Sequence, residues 1–459
     1  MRPSADRSIP KDTFVTQAPN APAPARPDTR TFGELGVLDS LAAALDASGI
    51  TQPFPIQTAT LPDSLSGRDV LGRGRTGSGK TLAFCLPLVA GLAARGDRTK
   101  AGSPRGLVLV PTRELANQVL AVLVPLAETC GLTATAIFGG VNQNPQVRAL
   151  KDGVDIVVAT PGRLEDLIAQ KHCRLDQVQI TVLDEADHMA DLGFLPVVKR
   201  LLDQTPKGGQ RLLFSATLDR GIDVLVKRYL HDPVTHSVDP VQAPVSAMAH
   251  HVVTVKHADK AAVVQDLAGG LGRAVLFTRT KHQAKKLAKQ LSMAGIPAVE
   301  LHGNLSQNAR ERNLTAFSDG SVRVLVATDI AARGIHVDDV ALVVHVDPPA
   351  EHKAYLHRSG RTARAGAGGV VVTVATHEQS AEVRTLAKQA GIRPTVVTVS
   401  PGAQEIASLR GERAPHVEPA PPVAPPARKP TASGGGSAPS RNRRRRPNTR
   451  SRHGGQTRG

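Results

Sequence analysis

The string Gly74-Arg75-Thr76-Gly77-Ser78-Gly79-Lys80-Thr81 constrains this chain more than any other stretch. It fits G-x-x-x-x-G-K-[ST] in full, follows the apolar Asp69-Val70-Leu71 and precedes the helix-forming Leu82–Leu86. A strand, a glycine-rich turn and a helix in that order make a cradle whose backbone N–H groups close on phosphate oxygens. In such a cradle Lys80 reaches the β- and γ-phosphates of a nucleotide such as ATP, and Thr81 offers its hydroxyl to Mg²⁺. Arg75, Thr76, Gly77, Ser78 and Gly79 form the loop itself.

Around this loop, short apolar runs alternate with helix-length segments. Gly106–Pro111, Asp155–Ala159, Ile180–Asp184 and Arg211–Phe214 read as buried strands by length and branching, with helical stretches such as Arg113–Cys130 between them. The pattern repeats with Ala274–Phe277, Ala298–Leu301, Val322–Ala327 and Ala341–Val346. Alternation of this kind gives α/β domains, each a parallel sheet covered by helices on both faces. A stretch rich in Pro, His and Ser from about 232 to 248 has weak periodicity. The expected organisation is therefore one domain over 32–235, a linker over 236–247 and a second domain over 248–400.

The formal net charge of +17 is unevenly spread over the 459 residues. Residues 401–459 hold twelve Arg or Lys against three Glu, including the run Arg443-Arg444-Arg445-Arg446, whereas the middle of the chain is only mildly basic. Both ends, 1–31 and 401–459, are rich in Pro, Ala, Ser or Gly and poor in apolar side chains. They are expected to be disordered, the second serving as a tether for phosphate-bearing RNA. Trp is absent, and two Tyr and nine Phe are too few for modules that stack bases on aromatic side chains. Cys85, Cys130 and Cys173 lie far apart without C-x-x-C spacing, which argues against a disulfide framework or a zinc site and fits a reducing cytoplasm. No apolar run reaches about 18 residues, so no membrane association is expected.

Leu183-Asp184-Glu185-Ala186-Asp187 follows an expected strand at the C-terminal edge of the sheet, where ligands of parallel sheets bind. Asp184 is placed there to hold Mg²⁺ through water, and Glu185 to position and polarise an attacking water. In the second half, His357-Arg358-Ser359-Gly360-Arg361-Thr362-Ala363-Arg364 supplies three Arg in seven positions after strand 341–346. That is the positive charge a single phosphate-loop domain lacks.

Asp184–Asp187 spells DEAD, and together with the phosphate loop it resembles the DEAD-box ATP-dependent RNA helicases of superfamily 2. Further motifs recur in the family's order over about residues 32–375. Gly49–Gln57 resembles the Q motif, with Phe32 seventeen residues before Gly49. The resemblance implies that Gln57 reads the adenine edge and Phe32 stacks on its face. Pro111–Ala116, Gly139-Gly140 and Thr160–Arg163 resemble RNA-backbone elements, which implies contacts from Thr112, Arg113, Gly140, Thr160 and Arg163. His302-Gly303 with Gln307 and Arg310, and Leu325–His336, resemble the corresponding elements of the second domain. These imply RNA contacts from Gly303, Arg310 and Thr328, and domain-linking roles for Asp329 and Arg333. Ser215-Ala216-Thr217 resembles the motif coupling hydrolysis to strand separation. Arg361 and Arg364 correspond to the arginines that act on the γ-phosphate across the cleft. The implied fold is two tandem RecA-like domains, the cofactors ATP and Mg²⁺, and the partner RNA, held by its backbone with little sequence specificity. An Arg excess over Lys (40 against 17) adds the expectation of a bacterial type.

Ser359 and Ala363 stand where the family commonly has apolar and Gly residues, small changes that keep the arginine spacing; one further departure matters more. His336 stands where the family usually has an Asp that hydrogen-bonds the ribose hydroxyls; imidazole can make one such bond, and Asp338 is a substitute two residues on. Two other functions fit the same chain: a DNA-directed superfamily-2 helicase, and an RNA-binding or annealing protein with little catalysis.

Overall fold

The computed structural model describes residues 30–74, 77–96, 99–217, 220–238, 248–332, 339–363 and 368–418. The first half forms a seven-stranded sheet from β1 (Val70–Arg73), β2 (Gly106–Leu109), β3 (Ala134–Ile137), β4 (Ile156–Ala159), β5 (Ile180–Leu183), β6 (Gln210–Ser215) and β7 (Val234–Ser237), in the order β3-β4-β2-β5-β6-β1-β7. The second half forms another from β8 (Met248–Val255), β9 (Arg273–Phe277), β10 (Ala298–Leu301), β11 (Val324–Ala327), β12 (Val340–His345), β13 (Gly369–Thr376) and β14 (Thr395–Thr398), in the order β10-β11-β9-β12-β13-β8-β14. Every pairing is parallel. These are the two tandem RecA-like domains expected from the alternation.

The central strands read as unbroken apolar runs because helices cover both faces of a parallel sheet. Along β2, Val108 joins one core with Val158, Val182 and Phe214, while Leu107 and Leu109 join the other with Val157, Leu183 and Leu213. The second sheet splits the same way, with Leu276, Val326 and Val344 on one face and Val275, Leu325 and Val343 on the other. Gly72 is required by close approach: a Cβ there would lie 2.5 Å from the ring of Phe214. No helix among the described residues is long and apolar enough to cross a membrane.

Three expectations change. Residues 236–237 belong to β7, paired with β1, so the first domain runs past 235; residues 239–247 of the expected linker lie outside the described residues. Residues 401–418 are not a disordered tail. Gln404–Arg410 is a helix with Ile406 fully buried, and Arg410 and Arg413 both pair with Asp266. Beyond it the chain runs along the second domain, with backbone bonds from Ala414 to Gly269, Leu271 to Glu412 and Val417 to Gly295. Two of the twelve basic groups are thus engaged within the fold, sharing the single negative charge of Asp266. Third, β3, β7, β8, β13 and β14 are strands beyond those the apolar runs mark. The expected disorder of 1–29 and 419–459 falls outside the described residues.

Candidate nucleotide and nucleic-acid site

The strand order sorts the candidate residues along the C-terminal edge of the first sheet. The loop after β1, Asp184 after β5 and Ser215 at the end of β6 gather on the β5-β6-β1 part of that edge. Thr112, Gly140 and Thr160 follow β2, β3 and β4 on the other part. In the second sheet, Gly303 and Thr328 follow β10 and β11, the positional equivalents of β3 and β4.

The phosphate loop is fixed at both ends. Gly74 N–H donates to Ser215 O at 3.1 Å. Gly77 and Gly79 have φ of +87° and +89°, a region that favours glycine, and Gly79 caps the 16-residue helix Lys80–Arg95. A Cβ on Gly79 would also lie 2.6 Å from Gln57 Nε2 and 3.0 Å from Phe54. The helix N-terminus therefore presents unpaired N–H groups and the positive end of its dipole to the cradle. Lys80 is buried and its Nζ donates to Gly74 O at 2.8 Å, while Thr81 is half-buried beside it. Arg75 and Thr76 lie outside the described residues, as do Arg333, His336, Asp338 and Arg364.

Gln57 and Phe32 are not arranged as the resemblance implied. Gln57 is buried, its Nε2 donating to Gly79 O at 2.8 Å and its Oε1 accepting from Phe54 N at 2.8 Å. Its amide ties the segment before the loop to the loop. Phe32 is only 3% exposed and packs in the core, so its ring offers no open face. The ring exposed next to the loop is that of Phe54, 49% exposed, which sequence reasoning missed; its signal is an aromatic residue in a Pro-flanked turn directly before a helix.

Asp184 and Glu185 sit together yet titrate apart. Burial pushes Asp184 up to about 7, with Lys80 pulling down and the Glu185 and Asp187 charges pushing up. Burial also pushes Glu185 up, but the hydrogen bond and charge of His188, with Lys80 and Arg361, outweigh it and hold the carboxylate well below its usual range. Arg361 comes from the second domain, so both halves act on one carboxylate. Glu185 adopts the left-handed region, φ 49° and ψ 49°, before the short helix Ala186–Asp191. That placement turns its side chain back to His188, whose Nδ1 lies 3.1 Å from Oε2. A cluster of hard carboxylate and hydroxyl oxygens beside one lysine suits Mg²⁺. Among the described residues no three His, Cys, Asp or Glu side chains converge on a metal position.

Asp187 is the connection between the acidic motif and Ser215–Thr217. Its Oδ2 accepts from Thr217 N and Oγ1, both at 3.0 Å, while Ser215 Oγ donates to Thr217 O at 2.7 Å. Asp329, expected to link the domains, is instead held within the second domain by Arg358, whose Nη2 lies 2.8 Å from Oδ2. Arg358 also donates to Asp347 O at 2.8 Å and lies over the Phe277 ring.

The RNA candidates meet across the domains. Arg113 Nη1 donates to Gln307 Oε1 at 3.0 Å and Arg310 Nε to Glu114 Oε1 at 2.8 Å. Arg113 lies so close over Gly140 that a Cβ there would sit 2.2 Å from the guanidinium. Arg163 is beside the same turn, 3.5 Å from Val141 O, and Thr160 precedes the helix Pro161–Ala169. Thr112 caps the helix Arg113–Thr129 through its hydroxyl. Gly303 is exposed, and a Cβ there would meet open space. Sequence reasoning missed Glu114 and His188, whose partners are set only by tertiary contact.

The family model for the DEAD/DEAH box helicase matches residues 54–225, and that for the helicase conserved C-terminal domain matches residues 259–366. DEAD-box ATP-dependent RNA helicase 53 of Oryza sativa subsp. japonica is 38% identical over 375 residues, covering 80% of this chain and 62% of that protein. ATP-dependent rRNA helicase rrp3 of Aspergillus terreus is 37% identical over 380 residues, 82% of each. The chain spans about half, 53%, of two chloroplastic relatives from Zea mays. The structure of S. cerevisiae Dbp5 bound to RNA and ADP BeF3 superposes with a TM-score of 0.71 at 31% identity, covering 80% of this chain and 95% of that one.

Proposed function

Since the chain belongs to the DEAD-box RNA helicase family, we propose that it is an ATP-dependent RNA helicase that couples RNA-stimulated ATP hydrolysis to local duplex unwinding or ribonucleoprotein remodelling. The observation that carries this reading is the meeting of both domains at Glu185, a buried carboxylate under the influence of Lys80 from one half and Arg361 from the other.

In the proposed cycle, ATP lies in the cradle with Lys80 and the helix N-terminus on its phosphates. Thr81 and Asp184 would hold Mg²⁺, which would supply positive charge to offset that of the phosphates. Glu185, ionised by its surroundings, accepts the proton of the attacking water. Arg361 and Arg364 stabilise charge on the γ-phosphate from the second domain, an effect of about 10³–10⁵ in rate in related phosphoryl transfers. RNA lies along the β3-β4-β2 part of the edge and its counterpart at β10-β11, where arginines, hydroxyls and glycine-flanked backbone suit phosphate and sugar but not base edges. Because ATP and RNA each touch both domains, each favours the closed state and so the other's binding. Asp187 and Thr217 carry the coupling between the hydrolysis centre and strand separation.

The proposal includes three further parts. The basic tail after Glu418 tethers RNA, supported by its arginine run. The arginine excess supports a bacterial source. Three free cysteines support a cytoplasmic location. ATP turnover measured with matched RNA and DNA strands, together with displacement of a labelled duplex strand, tests the main reading. RNA-selective stimulation supports it. Equal stimulation by DNA points to the DNA-directed alternative, and binding without turnover to the annealing one.

A further inference from the structure

We infer that His188 is a positioning residue that fixes the rotamer of Glu185 so that one carboxylate oxygen is presented to the attacking water. The inference rests on the reading of Glu185 as the group that receives the water's proton. His188 follows Glu185 by three positions on the helix Ala186–Asp191, and its Nδ1 lies 3.1 Å from Glu185 Oε2. Both side chains are buried, 6% and 10% exposed. A carboxylate oxygen only accepts, so the Nδ1 facing it carries the hydrogen.

The far side of the ring makes the assignment specific. Nε2 of His188 is buried, and among the described residues it has no hydrogen-bond partner. An unsatisfied buried polar atom costs about 1–3 kcal/mol. An aliphatic side chain would fill this space without that cost, so packing alone does not account for an imidazole here. What an imidazole adds is the Nδ1–H donor. The donor occupies Oε2, which leaves Oε1 for water, and it acts on a residue whose left-handed backbone already sets its direction. The helix itself is held independently: His188 N–H is capped by Asp187 Oδ1 at 3.0 Å, and Asp187 Oδ2 is taken by Thr217. Loss of the imidazole therefore frees the Glu185 side chain without releasing the helix.

Three variants of the full chain separate positioning from packing. In His188→Asn the amide Nδ2 stands where Nδ1 stood; in His188→Gln the donor is displaced to the Nε2 position; in His188→Leu volume is kept and the donor lost. With saturating ATP·Mg²⁺ and poly(U), kcat for ATP turnover is expected to fall by about 10- to 100-fold in His188→Leu and His188→Gln, as for other misplaced catalytic groups. KM for ATP and the thermal midpoint should stay near wild type, and His188→Asn should recover most of the lost rate. In a Glu185→Gln background, His188→Leu should add nothing further. Equal rates in all three variants, or a loss that Asn does not relieve, overturn the inference. If Glu185→Gln itself leaves turnover intact, the parent assignment of Glu185 fails instead.

Discussion

Arg310 of the second domain places its Nε 2.8 Å from Oε1 of Glu114 in the first, with the two side chains only 11% and 9% exposed. It is a buried ion pair spanning the two halves, and Arg113 and Gln307 make a second bridge beside it. Removing one member of such a pair leaves an uncompensated buried charge, at a cost of about 3–5 kcal/mol. That cost falls on the closed arrangement alone. Glu114→Ala is expected to reduce the closed population seen by energy transfer between dyes on the two domains, and to raise the RNA concentration needed for half-maximal ATP turnover at least tenfold. Unfolding midpoints of the domains should not move.

The proposed role of Glu185 separates hydrolysis from nucleotide binding. Glu185→Gln is expected to lower RNA-stimulated ATP turnover by about 10²–10⁴, the range for a positioned proton acceptor, while ATP binding persists. Lys80→Ala should instead abolish binding, measured with a fluorescent ATP analogue.

Thr217→Ala removes the Oγ1 bond to Asp187 and leaves the backbone N–H bond in place. ATP turnover should then continue within a few-fold of normal while duplex displacement drops by at least tenfold. If both rates fell in step, Thr217 would belong to the hydrolysis centre rather than to the coupling.

The buried histidines of the second domain predict an acid sensitivity. Burial, with the neighbouring His251 charge, lowers His250 to about 4. Burial, with Arg358 and His250, holds His345 well below its usual value. A histidine depressed in the folded state stays neutral while the unfolded chain takes up a proton. Its stability contribution is full above about 6.5, the ordinary histidine value, and is lost as pH falls toward 4. Urea midpoints of the second domain should decline over that window, and His345→Val should flatten the decline.

Two truncations distinguish fold from tether. Ending the chain after residue 400 removes the buried Ile406 and strips Asp266 of Arg410 and Arg413, so the second domain should lose thermal stability. Ending it after Glu418 removes ten Arg or Lys and should leave that midpoint unchanged. RNA affinity should weaken in this second, longer form, with a salt slope reduced by up to about 7 at roughly 0.7 per phosphate contact.

What could be read from the sequence was whatever is written in spacing or in unbroken apolar runs. The glycine positions of the loop encode their own geometry, and β2, β4, β5 and β6 are buried on both faces. By contrast β3, β7 and β14 are only half-buried or exposed edge strands, and β8 carries two histidines, so their patterns are weak. β13 has a valine run, but its approach through Gly366-Ala367-Gly368 reads as a loop. The helix around Ile406 is masked by the Pro-rich composition that follows it. In the site, the loop, Asp184, Glu185 and Arg361 were legible from motifs. The inward packing of Phe32, the exposed Phe54 and the pairing of Asp329 with Arg358 were not, because each depends on which face the tertiary fold turns outward.

The position of β1 has a consequence for biosynthesis. The strand leading into the phosphate loop is made early, at residues 70–73, but its neighbours in the sheet are β6 and β7, which end at residues 215 and 237. A nascent chain emerging from the ribosome thus holds a loop sequence without a framed loop until nearly its whole first half has been synthesised. On the proposed function, a nucleotide gains its framed site, and can begin to stabilise the chain, only when β6 and β7 close around β1.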